Sequence, residues 1–333
     1  MLELQKKDKK SFRKYLAHLH EDIRAAYSSN PRIHLENIKR TKDKKIFVCG
    51  MGGSGVATDL LSIYLEEVQI IAVKNYSLPA IATDKDLVII SSYSGNTEEA
   101  ISCYRSARRI GCDTLILSSG GKLRDIADKG RIPFISIPGG YPPRCAVAYM
   151  FFTILRIIEE LGLIGSKKEE ISELIDYLLK TDVESLAFNL SEKLEDKMPI
   201  IYSSEKYFGI TARWKTQFNE NAKMPAFANK FPELNHNELN GFSFYADQFY
   251  LIILSFDDDI SRMKKRAKCT KQVLSKQGLN VTQLDIKGKL LNKIFSTVLL
   301  GDYLSYYTAL RRSVDPTPVE VIEEFKKLMG PFI

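Results

Sequence analysis

At 333 residues the chain exceeds what one hydrophobic core comfortably fills, so it suits two domains. Hydrophobic residues at 44% and charged residues at 27% fit an ordinary soluble globular protein. The net charge of +7 invites nucleic acid or an anionic metabolite, but the lysines are dispersed among acids, as in Lys167-Lys168-Glu169-Glu170, and nucleic-acid binding is not inferred.

The first residues, Met1 to Lys7, lack the apolar core of a secretory signal, and a cytoplasmic protein is expected. Polar sequence with intermittent apolar positions up to about residue 40 suggests one or two lead-in helices. Short apolar runs at 45–49, 68–73, 87–90, 114–117 and 133–137 read as buried strands, separated by amphipathic stretches such as 97–109. Strands alternating with helices predict a doubly wound parallel sheet, which binds ligands outside the carboxyl ends of its strands.

The breaker Pro138-Gly139-Gly140-Tyr141-Pro142-Pro143 precedes a very apolar helix. Its core at 146–155 is stopped by Arg156 and is too short to span a bilayer, so no membrane association is expected. After a polar bridge, strands are expected at 199–204, 250–256 and 280–286, with helices running toward 222 and over 260–276 and 291–311. Lys264-Lys265-Arg266, the densest basic cluster, reads as a solvated helix face. The second half thus repeats the element order of the first. The expected organisation is an α/β chain with an N-terminal subdomain over 1–163 that includes the lead-in helices, a helical linker over 164–197, and a C-terminal subdomain over 198–333. The five cysteines are odd in number and scattered, and read as buried small hydrophobes in a reducing compartment.

Two loops carry the chemistry. Gly50-Met51-Gly52-Gly53-Ser54-Gly55 and Ser91-Ser92-Tyr93-Ser94-Gly95-Asn96-Thr97 each follow an apolar run and open a helical stretch. Bare amides, hydroxyls and a helix N-terminus together favour an oxyanion, here the phosphate of a small metabolite. Gly50, Gly52 and Gly55 also satisfy G-x-G-x-x-G, but the second strand ends in Val73-Lys74 without the acid a dinucleotide ribose needs. Lys74 facing an NADP phosphate is the remaining form of that reading. A tight turn packing a helix on a strand accounts for some of the glycines. In the second loop, Thr97 suits a helix N-cap, which leaves Ser92 and Ser94 unaccounted for by capping alone.

These loops resemble the hallmarks of the sugar isomerase (SIS) domain. With Pro138 to Arg144, Asn219-Glu220-Asn221, Asn235-His236-Asn237-Glu238 and Val314-Asp315-Pro316-Thr317-Pro318-Val319, the set is similar to the bifunctional phosphoglucose/phosphomannose isomerases. The resemblance covers about 44–327 and implies two SIS-type subdomains, each a doubly wound parallel sheet flanked by helices. It implies an aldose–ketose isomerase interconverting glucose 6-phosphate, and mannose 6-phosphate, with fructose 6-phosphate. It puts the sugar phosphate on Ser92, Ser94 and Thr97, with Gly53 and Ser54 at the reacting end and Thr317 near the C2 epimer. Arg144 would sit beside C1–C2, Glu220 would be the base, and His236 with Lys326 would open the ring. Lys327 stays an alternative to Lys326, and Glu238 to Glu220. The resemblance also implies a homodimer in which His236 completes the neighbouring site.

The residue types suit that chemistry. Moving one proton between C2 and C1 through a cis-enediolate needs a carboxylate that both takes and returns it. An arginine stabilises the enediolate charge, and a histidine exchanges the ring-opening proton near neutral pH. By composition alone Glu220 is a surface acid, His236 a loop residue, Arg144 a helix-start ion-pair partner and Lys326 a solvated lysine. The four histidines, His18, His20, His34 and His236, form no ligand spacing, so no metal and no cofactor is expected. The competing readings are another SIS enzyme acting on a different sugar phosphate, a sugar-phosphate sensor without a base and, more distantly, an NADP oxidoreductase.

Overall fold

The computed structural model describes all residues except 30, 32–34, 36–37, 39–43, 195 and 333, so His34 and part of the expected lead-in region lie outside the described residues. The chain divides into two units. One comprises His18–Ile175 with Phe332–Ile333, the other Met1–Ala17 with Asp176–Pro331.

Along the chain come α1 (Leu2–Gln5), α2 (Arg13–Ala17) and α3 (Leu19–Tyr27). The first sheet is then built from β1 (Ile46–Cys49), α4 (Gly52–Tyr64), β2 (Ile70–Val73), β3 (Leu87–Ser91), α5 (Glu98–Ile110), β4 (Asp113–Ser118), α6 (Lys122–Gly130) and β5 (Phe134–Ser136). All pairings are parallel in the order β2-β1-β3-β4-β5. β1 and β3 are buried along their whole length, as parallel strands covered on both faces must be. The apolar α7 (Val147–Glu160) buries Val147–Leu155 without a break and packs on α3 and α4. No helix among the described residues is long and apolar enough to cross a membrane.

After α8 (Lys168–Lys180) and α9 (Val183–Glu192), the second sheet comprises β6 (Met198–Ser204), α10 (Phe208–Asn221), β7 (Phe227–Phe231), β8 (Phe249–Phe256), α11 (Ser261–Lys276) and β9 (Asn280–Ile286). It is also parallel, in the order β7-β6-β8-β9. The long α12 (Leu290–Arg311) is buried over nearly all its length, and α13 (Glu320–Met329) buries no residue. The expected two-sheet α/β architecture is therefore observed, with the element order of the first sheet repeated. β7 had no counterpart in the sequence reading. Four cysteines are buried free thiols, but Cys269 is exposed, which corrects the reading of all five as buried. It lies off the Ala267, Thr270 and Leu274 stripe that α11 turns inward.

Candidate active site

In the β1–β5 unit the two Gly/Ser loops follow β1 and β3. These strands are adjacent, and their connections leave in opposite directions, β1 toward β2 and β3 toward β4. That is the topological switch point, where open α/β sheets hold their ligands.

The loops are tied to each other and to the turn before α7. The Tyr93 amide donates to Ser54 Oγ at 3.2 Å, joining the second loop to the first. A β-carbon on Gly53 would lie 2.6 Å from the Pro143 carbonyl and 3.2 Å from Arg144 Cα, so only glycine lets that turn approach. The Tyr141 amide donates to Tyr93 Oη at 2.8 Å. Gly95 has φ +69°, and a β-carbon there would overlap the Gly120 carbonyl, so the second loop is braced by the turn after β4. Gly53, Ser54, Ser92, Ser94, Thr97 and Arg144 are thereby gathered in one region of this unit. Ser54, Ser92 and Arg144 are buried, Thr97 is half-buried and Ser94 exposed.

Thr97 occupies the N-cap position of α5, yet its hydroxyl does not cap the helix. Its Oγ1 lies 2.8 Å from Ser92 Oγ, which in turn accepts from the Gly95 amide at 3.2 Å. The capping role expected from the sequence is corrected: the hydroxyl turns into the loop. α4 likewise begins at Gly52 without a side-chain cap. Both helices present positive ends at neighbouring strands, the arrangement that stabilises an anion. Glu98, in the first turn of α5, accepts from the Tyr76 hydroxyl and pushes that phenol up to about 12. Lys74 is paired with Asp59, so its ammonium already has a carboxylate, which weighs against its facing an NADP phosphate.

In the β6–β9 unit, Glu220 lies half-buried at the end of α10, beside Asn219. It lines a cavity of about 370 Å³ whose opposite wall is Pro318–Ile322, at the start of α13. Lys223, at φ +51° just beyond the helix, donates from Nζ to the carbonyls of Glu220 (2.6 Å) and Pro316 (3.2 Å), holding the two walls together. Thr317 precedes that wall, and its amide donates to Asp315 Oδ1 at 2.8 Å. Burial pushes the Asp315 carboxyl up, but hydrogen bonds from Thr317 and the nearby Lys10 outweigh it and hold the group below its ordinary value.

The remaining expected residues are not on that cavity. His236 is exposed in a short 3₁₀ turn, Glu233–His236. Lys326 is exposed on α13, where its ammonium pairs with Glu323 at 2.7 Å, and Lys327 is exposed beside it. Glu238, the alternative base, accepts at one oxygen from the Tyr202 hydroxyl (2.5 Å) and at the other from the Asn229 amide. The sequence reading missed Lys223 and Glu320 as neighbours of Glu220. Lys223 matters through a left-handed backbone conformation that no composition signal announces. Among the described residues no cluster of three or more His, Cys, Asp or Glu is arranged to hold a metal ion.

Residues 183–329 match the family model of the bacterial phospho-glucose isomerase C-terminal SIS domain. A bifunctional phosphoglucose/phosphomannose isomerase from Caldicellulosiruptor bescii is 36% identical over 329 residues, spanning 94% of this chain and 97% of that protein. A D-glucosamine-6-phosphate 4-epimerase from Sulfolobus acidocaldarius is 32% identical over 218 residues, 64% of this chain and 69% of its own. Among solved structures, a hypothetical protein from Thermus thermophilus superposes with a TM-score of 0.77 at 14% identity, covering 98% of this chain and 92% of that one, a likeness of fold. Two parallel sheets with Gly/Ser loops at a switch point define a protein of the SIS class. Within it, the chain belongs to the bifunctional phosphoglucose/phosphomannose isomerase family.

Proposed function

We propose that the protein is a cofactor-free aldose–ketose isomerase that interconverts glucose 6-phosphate and mannose 6-phosphate with fructose 6-phosphate. One observation carries the reading: two hydroxyl-bearing loops joined through Ser54 and Tyr93 at the switch point of the first sheet, in a chain whose relatives are named for this activity. Ser92, Ser94 and Thr97 hold the phosphate, with Gly53 and Ser54 toward the reacting carbons. Glu220 removes the C2 proton of the open-chain aldose, Arg144 stabilises the enediolate, and the same carboxyl returns the proton to C1, while the C2 hydroxyl proton passes to O1 so that O1 becomes a hydroxyl and C2 a ketone. No atom is gained or lost. His236 and Lys326 exchange the protons that open the hexose ring. Glucose and mannose 6-phosphates give the same enediolate, so one base serves both, with Thr317 shaping epimer tolerance. Glu220 lines the cavity of about 370 Å³ and Glu238 does not, which favours Glu220 as the base. We assign the protein to the cytoplasm as a homodimer in which His236 serves the neighbouring site.

The test is to incubate the pure protein with fructose 6-phosphate and identify the products. Glucose and mannose 6-phosphates are expected. Turnover of D-glucosamine 6-phosphate at C4 instead would move the protein to the chemistry of the Sulfolobus relative, and binding without turnover would make it a sensor. Glu220→Gln is expected to abolish turnover while sugar-phosphate binding survives. Activity near wild type in that variant would transfer the base role to another carboxylate.

A further inference from the structure

The second sheet repeats the strand order of the first, β7-β6-β8-β9 against β2-β1-β3-β4. β8 followed by α11 therefore corresponds to β3 followed by α5, the loop that carries the hydroxyls in the first sheet. At the carboxyl ends of β8 and β9 lies a cavity of about 510 Å³. Its charged lining is Lys264, Lys265 and Lys268 from α11, Lys287 from just beyond β9, and the carboxylates of Asp257 and Asp285.

The acids there are already committed. The loop after β8 reads Asp257-Asp258-Asp259, but the buried Lys293 ammonium donates to Asp257 Oδ1 at 2.7 Å and to Asp258 Oδ1 at 2.5 Å. Asp258 also accepts from the Tyr207 hydroxyl, and Asp259 from the Phe256 amide at 3.1 Å. Asp285 Oδ1 accepts from the Gln283 side chain at 2.7 Å. Among the lysines, Lys264 donates only to the Asp257 carbonyl, at 2.9 Å. Lys265, Lys268 and Lys287 form no ion pair or hydrogen bond with any described residue. Three unpaired ammonium groups and a fourth bound to a neutral carbonyl thus surround a hollow larger than one phosphate, with Asp285 the only lining acid not matched by a buried lysine.

We propose that this cavity is a second anion site, separate from the Gly/Ser loops, and that it takes a small molecule carrying a diphosphate group. Lysines at 264, 265 and 268 reach in from one helix while Lys287 reaches from the neighbouring strand end, so two phosphoryl groups are contacted from two sides. The site stands independently of the isomerase reading, because it is assayed by binding.

Pyrophosphate is the probe, titrated by calorimetry into the full chain carrying Ser92→Ala and Thr97→Ala, which weakens the loops of the first sheet. One equivalent is expected to bind, more tightly than inorganic phosphate. Adding Lys265→Ala and Lys268→Ala is expected to weaken it at least about tenfold, since each removes a charge-assisted contact. Both lysines are exposed, so the variant folds, and its melting curve checks this. Lys271→Ala with Lys276→Ala, on α11 but off the cavity, is expected to change nothing. Absence of binding in the first variant, unchanged affinity in the second, or equal loss in the third would overturn the proposal.

Discussion

Replacing Asp302 with alanine is expected to destabilise the β6–β9 unit by about 3–5 kcal/mol, the usual cost of leaving one member of a buried ion pair without its partner. The magnitude follows from how α10 is fixed to α12. Arg213 Nε and Nη2 donate to the two Asp302 oxygens at 3.1 and 2.7 Å, and the side chains are 1% and 5% exposed. Gln217 Nε2 donates to the same carboxylate at 2.8 Å. The residue after Arg213, Trp214, donates to the Thr297 carbonyl at 2.8 Å and packs so closely on Gly301 that a β-carbon there would come within 2.3 Å of the indole nitrogen. Asn221 completes the seam through Ser305 at 2.9 Å. Glu220 sits on this helix, so loosening it also displaces the proposed base. Trp214 is the only tryptophan, which makes urea unfolding followed by its fluorescence a report on this unit. The double replacement Arg213→Met with Asp302→Leu is expected to recover most of the loss, because it removes both charges together. A loss below about 1 kcal/mol for Asp302→Ala, or no recovery in the double variant, would refute this account of what holds α10.

Ser92→Ala with Thr97→Ala is expected to raise KM for fructose 6-phosphate at least about tenfold with little change in kcat, because in the proposed placement the hydroxyls contact a phosphate that does not react. A loss confined to kcat would contradict the phosphate placement. Gly53→Val is expected to reduce both the melting temperature and activity, since its β-carbon would press on the Pro143 carbonyl at 2.6 Å, whereas Gly139→Ala, with open space around it, is expected to do neither. Burial pushes the Asp258 carboxyl up, but Lys293 and Tyr207 outweigh it and hold it at about 2 against an ordinary 3.8, and Asp257 is lowered chiefly by Lys293. As pH falls from about 4 to about 2 the unfolded chain binds these protons first, so the stabilisation is complete above that window and lost within it. Lys293→Met is expected to flatten stability against pH between 4 and 2, as measured by urea unfolding. An unchanged slope would show that the pair contributes nothing.

How much was legible depends on what each feature rests on. β1 and β3 were legible because strands covered on both faces must be apolar throughout. β7 was not: it is an edge strand, Phe-Ala-Asn-Lys-Phe, whose Asn229 holds Glu238 and whose Lys230 pairs with Glu205, so its polar residues hide the pattern. The association of α1 and α2 with the later half was equally hidden, since it rests on pairs remote in sequence. Phe12 stacks on Tyr306, and Arg13 reaches Glu184 at 2.6 Å. The Gly/Ser loops announced themselves by residue type. Glu220 did not, because a carboxylate becomes special through its cavity, and that cavity is built by Lys223 bridging segments some ninety residues apart.

The repeated sheet sharpens the point. Both sheets place a β-strand, a short loop and a helix at the same topological position, yet the loop after β3 carries Ser92, Ser94 and Thr97 where the one after β8 carries Asp257, Asp258 and Asp259. Read as charge alone, three aspartates repel a phosphate and make the second position look unfit for any anion. The buried Lys293 reverses that conclusion, because it draws two of the three carboxylates inward and leaves the α11 lysines unmatched at the surface. Fold repetition therefore places two potential ligand sites, and the pairing of single side chains decides what each one attracts.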